Sequence, residues 1–139
     1  MKLQTKLAHT VGDLLKAERL TISAAESCTG GLLLSTLTDI SGSSAYVVGG
    51  VITYSNEAKQ QLVNVQEATL IEHGAVSEAT AHEMVVGVCQ LFDTDLGISI
   101  TGIAGPGGGT PEKPVGLVYI AIPNKSPYSN LLMILNANV

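Results

Sequence analysis

A serine at a bend between an apolar strand and a double glycine is the part of this sequence best suited to chemistry. Ser27 stands in the run Ala24-Ala25-Glu26-Ser27-Cys28-Thr29-Gly30-Gly31, after an apolar stretch over residues 20–26. Such a bend presents a hydroxyl above backbone amides, and the glycines let another molecule come close. A serine hydroxyl is a poor nucleophile until a base within hydrogen-bond reach accepts its proton. Without that base, Ser27 is only the cap of the helix after it. Cys28 is a rival nucleophile, but no histidine adjoins it, and a small buried apolar side chain beneath the bend describes it better.

The base has two well-placed candidates. Tyr54 ends a strand, and Lys59 lies about one turn into the helix that Ser55 caps. A cation near a helix N-terminus opposes the macrodipole, and partial burial lowers its pKa further, so both effects make a lysine a more competent base. From spacing alone, an exposed helix lysine is the commoner outcome. His9 and His82 fall within helices and His73 at a helix end, so all three read as structural or solvent-facing. No spacing links them as metal ligands.

A second bend, Thr101-Gly102-Ile103-Ala104-Gly105-Pro106-Gly107-Gly108-Gly109, follows another apolar strand. Thr101 either turns its hydroxyl into the same cleft or satisfies a loop amide. The glycines match neither the GxGxxG fingerprint nor the P-loop pattern. Their free N–H groups suit an anion nest, with Lys113 beyond them to add charge, or else the stretch is a plain flexible hairpin loop. Donor counting divides the labour: the amides of Thr29, Gly30 and Gly31 go to a reacting carbonyl, and those of Gly105, Gly107, Gly108 and Gly109 to a phosphate.

These groups meet only if the strands carrying them are neighbours. Leu3, Leu7, Val11, Leu14 and Leu15 predict an amphipathic first helix packing on the core. A strand over 20–25 and a helix over 32–40 follow. The apolar, β-rich run 46–54 reads as a strand covered on both faces, with Gly49 and Gly50 marking a bulge or a close neighbour. Ser55 and Ser77 cap helices over 56–63 and 78–92, with a helical turn over 67–73 between them. Ala81, Met84, Val85, Val88 and Leu91 should face inward. Strands over 95–101 and 115–122 flank the glycine loop, and residues 131–135 add an edge strand. Alternating strands and helices favour a single-domain, three-layer α/β/α sandwich over 1–139, with ligands bound beyond the strand ends.

Composition agrees with one globular domain: 139 residues, 45% apolar and 14% charged. A formal charge of −5 with only seven scattered basic residues excludes nucleic acid as a default partner. Cys28 and Cys89 make no CxxC pair and no disulfide framework. The opening residues lack a signal-peptide core, and no apolar run reaches membrane-spanning length, so a cytoplasmic protein without membrane partners is expected.

Four blocks of this sequence resemble one family. AESCTGG at residues 25–31, GGVITYSNEAK at 49–59, HGAVSE at 73–78 and TGIAGPGGGTPEKPVG at 101–116 are together similar to the CinA C-terminal domain family, which includes nicotinamide-mononucleotide deamidases. The resemblance implies a three-layer α/β fold, a homodimer, and a serine amidohydrolase without metal or other cofactor. Its reaction converts the mononucleotide's carboxamide to a carboxylate and releases ammonia, within pyridine-nucleotide recycling. The family's nucleophile falls on Ser27, and its catalytic Tyr, Lys and Thr fall on Tyr54, Lys59 and Thr101. Lys59 and Tyr54 both stay open as the base.

The chain departs from the family pattern after Ile122. Members usually continue through a further strand, a Gly-Asp-Arg-type turn with a functional arginine, and a closing helix. Here residues 124–130 read NKSPYSN, an apolar run follows, and no arginine occurs after Arg19. That departure favours a second expectation, a catalytically silent member that binds a nucleotide or a partner protein. If the glycine loop holds the phosphate, Gly107→Val or Gly108→Val should raise KM for the mononucleotide more than it lowers kcat. Steady-state ammonia release reads both constants, and the opposite pattern removes the loop from phosphate binding.

Overall fold

β1 (Ile22–Glu26) is buried along its whole length, so other elements must cover both its faces. Two parallel strands flank it, β2 (Val47–Ile52) on one side and β3 (Leu96–Gly102) on the other. Antiparallel β4 (Leu117–Pro123) and β5 (Asn130–Asn136) extend the sheet beyond β3, giving the order β2-β1-β3-β4-β5. The computed structural model describes residues 2–123 and 130–136 of the chain. β5 is the edge strand expected over 131–135. Residues 124–129, where the family's arginine turn would fall, lie outside the described residues.

Successive strand residues point to opposite faces, and the two faces carry different helices. Ile22 packs with Leu15 of α1 (Leu3–Glu18) and with Tyr46. Ala25 packs on the other face with Val63 of α3 (Asn56–Val63) and with Met84 and Val88 of α5 (Glu78–Phe92). α2 (Leu32–Thr38) joins α1 on the first face, and α4 (Glu67–His73) joins α5 on the second. The result is the expected three-layer α/β/α sandwich. Ser55 and Ser77 cap α3 and α5 as the sequence predicts, their hydroxyls accepting from the amides of Ala58 (3.0 Å) and Thr80 (3.2 Å).

Three packing expectations need correction. Of the apolar stripe assigned to the core face of α1, only Leu15 is buried; Leu3, Leu7, Val11 and Leu14 are exposed. The helix instead buries Ala8, Gly12 and Leu15, a parallel stripe of smaller residues that lets its backbone lie close to Tyr46. A Cβ added at Gly12 would stand 2.4 Å from the Tyr46 hydroxyl. Hydropathy ranks leucine above glycine, but close approach selected the small stripe. β2 is an edge strand, not one covered on both faces, and Val48 and Ile52 stay exposed. On α5, Ala81, Met84, Val85 and Val88 are buried as expected, whereas Leu91 is exposed near the helix end.

The paired glycines of β2 have the predicted cause. Gly49 lies under the Phe92 ring, Gly50 lies against Leu34 and the Ala24 carbonyl, and the β1–β2 register shifts beside Ile22. Gly87 does the same between helices. A Cβ there would meet the Val63 carbonyl oxygen at 1.9 Å, so α5 carries α3 at backbone contact. In an open helix, Gly→Ala would gain about 1 kcal/mol. Gly87→Ala should instead lower stability by about 1–3 kcal/mol, read as a lower urea midpoint, because α3 must move away.

Candidate active site

The sheet reverses its winding between β1 and β3, since β1 connects through α2 on one face while α3, α4 and α5 lead to β3 on the other. A crevice at such a switch point, beyond the strand ends, is where open α/β sheets bind ligands. Ser27 leaves β1 at this place, and its amide donates to the Ile100 carbonyl of β3 at 2.9 Å. Thr101 stands at the end of β3 beside it. The second glycine bend then closes the other side. A cleft of about 350 Å³ results, lined by Ser27, Tyr54, Lys59 and Thr101, with Gly105, Gly107 and Gly108 of the loop.

Alternation along β1 separates two neighbouring polar residues. Glu26 turns toward α2 and Ser27 turns toward the cleft. Lys59, the fourth residue of α3, extends across to meet the serine. Its Nζ lies 3.1 Å from Ser27 Oγ, 2.8 Å from the Thr53 carbonyl and 3.1 Å from the Tyr54 carbonyl. With 1% of its surface exposed, Lys59 is not the solvent-facing helix lysine that spacing alone favours. Burial pushes its pKa down, against a smaller opposing pull from the Cys28 sulfur. A neutral amine has two N–H donors and one lone pair. Charged, Lys59 donates to both carbonyls and to Ser27 Oγ; neutral, it would give its two donors to the carbonyls and leave the lone pair to the hydroxyl.

Ser27 is 6% exposed and its hydroxyl caps no helix. The cap of α2 is Glu26, a residue that sequence reasoning passed over. Its carboxylate accepts from the amides of Leu33 (2.9 Å) and Leu34 (3.0 Å) and from the Thr29 hydroxyl (2.7 Å). The available signal was the N-cap position itself: Gly31 has no side chain, so the helix needed an acceptor from elsewhere.

Thr101 is fully buried and lines the cleft, and its hydroxyl donates to the Ala75 carbonyl at 2.7 Å rather than accepting from a loop amide. Tyr54 also lines the cleft, with its side chain 74% exposed and its phenol bonded to no described residue. Cys28 is partly buried on the cleft wall, not hidden beneath the bend. Burial raises the pKa of its thiol, and the Glu26 charge adds to this, while nearby backbone amides and Lys59 pull the other way. The thiol is therefore a weaker rival to Ser27 than exposure alone suggests.

The expected binding residues divide. Gly105, Gly107 and Gly108 line the cleft, but Gly109, Thr29, Gly30 and Gly31 do not. The Gly30 amide is already given to the Ser27 carbonyl at 3.1 Å. In the loop, Gly107 has open space where a side chain would go, whereas Gly108 has φ +88°, so a valine there also strains the backbone. Lys113 does not point its charge freely at the loop; its Nζ donates to the His73 carbonyl at 2.5 Å. All three histidines are exposed. Among the described residues, no group of His, Cys, Asp and Glu could hold a metal, and no helix is long and apolar enough to cross a membrane.

Comparisons with known proteins converge. The family model described as the CinA C-terminal domain matches residues 4–134. A CinA-like protein of Chloroherpeton thalassium is 56% identical over 116 residues, covering 84% of this chain and 28% of the relative, so the chain spans under a third of that protein's length. The solved structure of competence/damage inducible protein CihA from Agrobacterium tumefaciens superposes with a TM-score of 0.93 at 41% identity, covering 98% of this chain and 84% of that one. Competence damage-inducible protein A from Klebsiella pneumoniae gives a TM-score of 0.94 at 33% identity, covering 99% and 84%. With the family model matching residues 4–134 and relatives of this identity and coverage, the chain belongs to the CinA C-terminal domain family.

Proposed function

We propose that this chain is a serine amidohydrolase that deamidates nicotinamide mononucleotide to nicotinate mononucleotide and ammonia. One observation carries the reading: the buried Lys59 amine lies 3.1 Å from the Ser27 hydroxyl and is paired with carbonyls rather than a carboxylate. That pairing favours a neutral amine, which is what a general base requires.

Lys59 takes the Ser27 proton as Oγ bonds to the carboxamide carbon, and the carbonyl electron pair moves onto oxygen. The amide of Cys28, which lines the cleft and keeps no backbone carbonyl partner, is the donor at the bend that faces that oxyanion. Collapse of the tetrahedral species breaks the C–N bond, and the Lys59 ammonium protonates the leaving nitrogen, which departs as ammonia. Water then attacks the acyl ester while Lys59 accepts its proton, and Ser27 leaves as the free hydroxyl, with the carboxylate as product. Tyr54 is less suited to the base role, because its phenol is exposed and bonded to nothing described. Thr101 shapes the wall by holding the Ala75 carbonyl. The Gly107 and Gly108 amides face the phosphate. A homodimer belongs to the same proposal, supported by the exposed stripe of Leu3, Leu7 and Leu14 on α1.

The sequence NKSPYSN at residues 124–130, in place of an arginine turn, favours a second reading, a silent member that binds the nucleotide, or a partner, without turnover. Ammonia release from nicotinamide mononucleotide separates the two. Turnover lost in Ser27→Ala supports the hydrolase, and nucleotide binding without turnover in the wild-type protein supports the silent member. Removing the base in Lys59→Met should lower kcat by about 10²–10⁴-fold. Because only the neutral amine accepts a proton, kcat/KM should rise with pH on a limb below the ordinary lysine range, as the lowered pKa directs. A profile flat across neutral and alkaline pH, measured at saturating fold stability, removes Lys59 from the base role.

A further inference from the structure

Glu26 is wholly buried beside the nucleophile, and no cation pairs with it among the described residues. We infer that Glu26 is the positioning residue that sets the distance between the Ser27 hydroxyl and the Lys59 amine. Two separate sets of contacts converge on it. Its carboxylate grips the first turn of α2 and the Thr29 hydroxyl, so the bend from Ser27 to Gly31 is clamped at both ends by one residue: by the Glu26 backbone at its start and the Glu26 side chain at its finish. Its backbone carbonyl accepts from the Thr53 amide at 2.8 Å, and the Thr53 carbonyl in turn takes an N–H of Lys59 at 2.8 Å. The nucleophile and its base are thus tied to a common point.

The carboxylate never enters the cleft. Alternation along β1 sends it to the α2 face while Ser27 faces α3, so it touches neither the substrate nor the reacting atoms. Its charge is balanced by two amides at the start of α2 and by the dipole of that turn, which also means that this helix end is already occupied and leaves substrate anions to the glycine loop. An amide in place of the carboxylate keeps the shape and volume but turns one acceptor into a donor. Whichever way it is oriented, one of the clamping bonds becomes donor against donor or is lost. The bend is then free to shift, and a displacement of about 1 Å at a reacting centre costs on the order of 10²-fold.

The role presupposes the serine-hydrolase reading of the same cleft, so the test uses two probes. Glu26→Gln is first shown to be folded by its thermal melt. It is then assayed for ammonia release from nicotinamide mononucleotide and for labelling of Ser27 by a fluorophosphonate, followed by intact mass. The expected result is a fall of about 10–100-fold in both kcat and labelling rate, with KM within about twofold of wild type because the phosphate loop is untouched. Wild-type kcat and labelling in a folded Glu26→Gln overturn the positioning role and leave the hydrolase reading standing. A fall confined to KM overturns it equally. Wild-type protein that neither labels nor releases ammonia overturns both. If Glu26→Gln does not fold, Thr29→Val removes one clamping donor alone, and labelling should slow by about 2–10-fold; an unchanged rate in that variant overturns the role.

Discussion

A primary amine enclosed by protein, with two backbone carbonyls and one serine hydroxyl as its partners, constrains everything around it. Charged, the Lys59 amine would be a buried cation with no carboxylate among its partners, which is costly in a medium of low polarity. Neutral, it has two donors for the two carbonyls and a lone pair left for the hydroxyl. On the proposed function the contact is then chemical and not only structural. An ion pair would have held the lysine in place equally well and kept it charged.

Keeping that amine in place depends on backbones that approach one another closely. α3 carries Lys59 near its start and Val63 near its end, and the Val63 carbonyl rests on Gly87 of α5. α5 in turn packs across β1 and β3, the strands that deliver Ser27 and Thr101. The buried hydroxyls of Ser99 and Thr101 take the Ala81 and Ala75 carbonyls, fixing α5 and the segment before it against β3. Small residues at the crossings and hydroxyls at the strand faces thus connect the sheet to Lys59, with no ion pair among the described residues taking part.

On the opposite face the same sheet handles charge differently. Glu26 is buried and ionisable, yet amides and a hydroxyl surround it and a helix begins upon it. The strand end therefore sorts two adjacent polar groups by alternation alone, a carboxylate to one layer and a serine hydroxyl to the other. A shift of one residue in the register of β1 would exchange them and destroy both the cap and the cleft.

Much of this was legible in the sequence. Apolar runs, glycine bends and the serine caps at Ser55 and Ser77 placed the strands and helices and set the layer architecture, because hydrophobic periodicity and capping are local properties. The types of the reactive residues were equally plain, and the four family blocks carried Ser27, Tyr54, Lys59 and Thr101 together. Local pattern could not decide which stripe of α1 meets the sheet, since the leucines and the small residues share one period and only the approach of Tyr46 selects Gly12. Nor could it rank Lys59 against Tyr54, or find the cap of α2 in a strand residue beyond the N-cap. Those outcomes depend on distances between segments far apart in the chain, and so on strand order, burial and the faces to which side chains turn. Sequence alone determined which groups exist and which elements carry them; tertiary packing decided which are dry and which are paired.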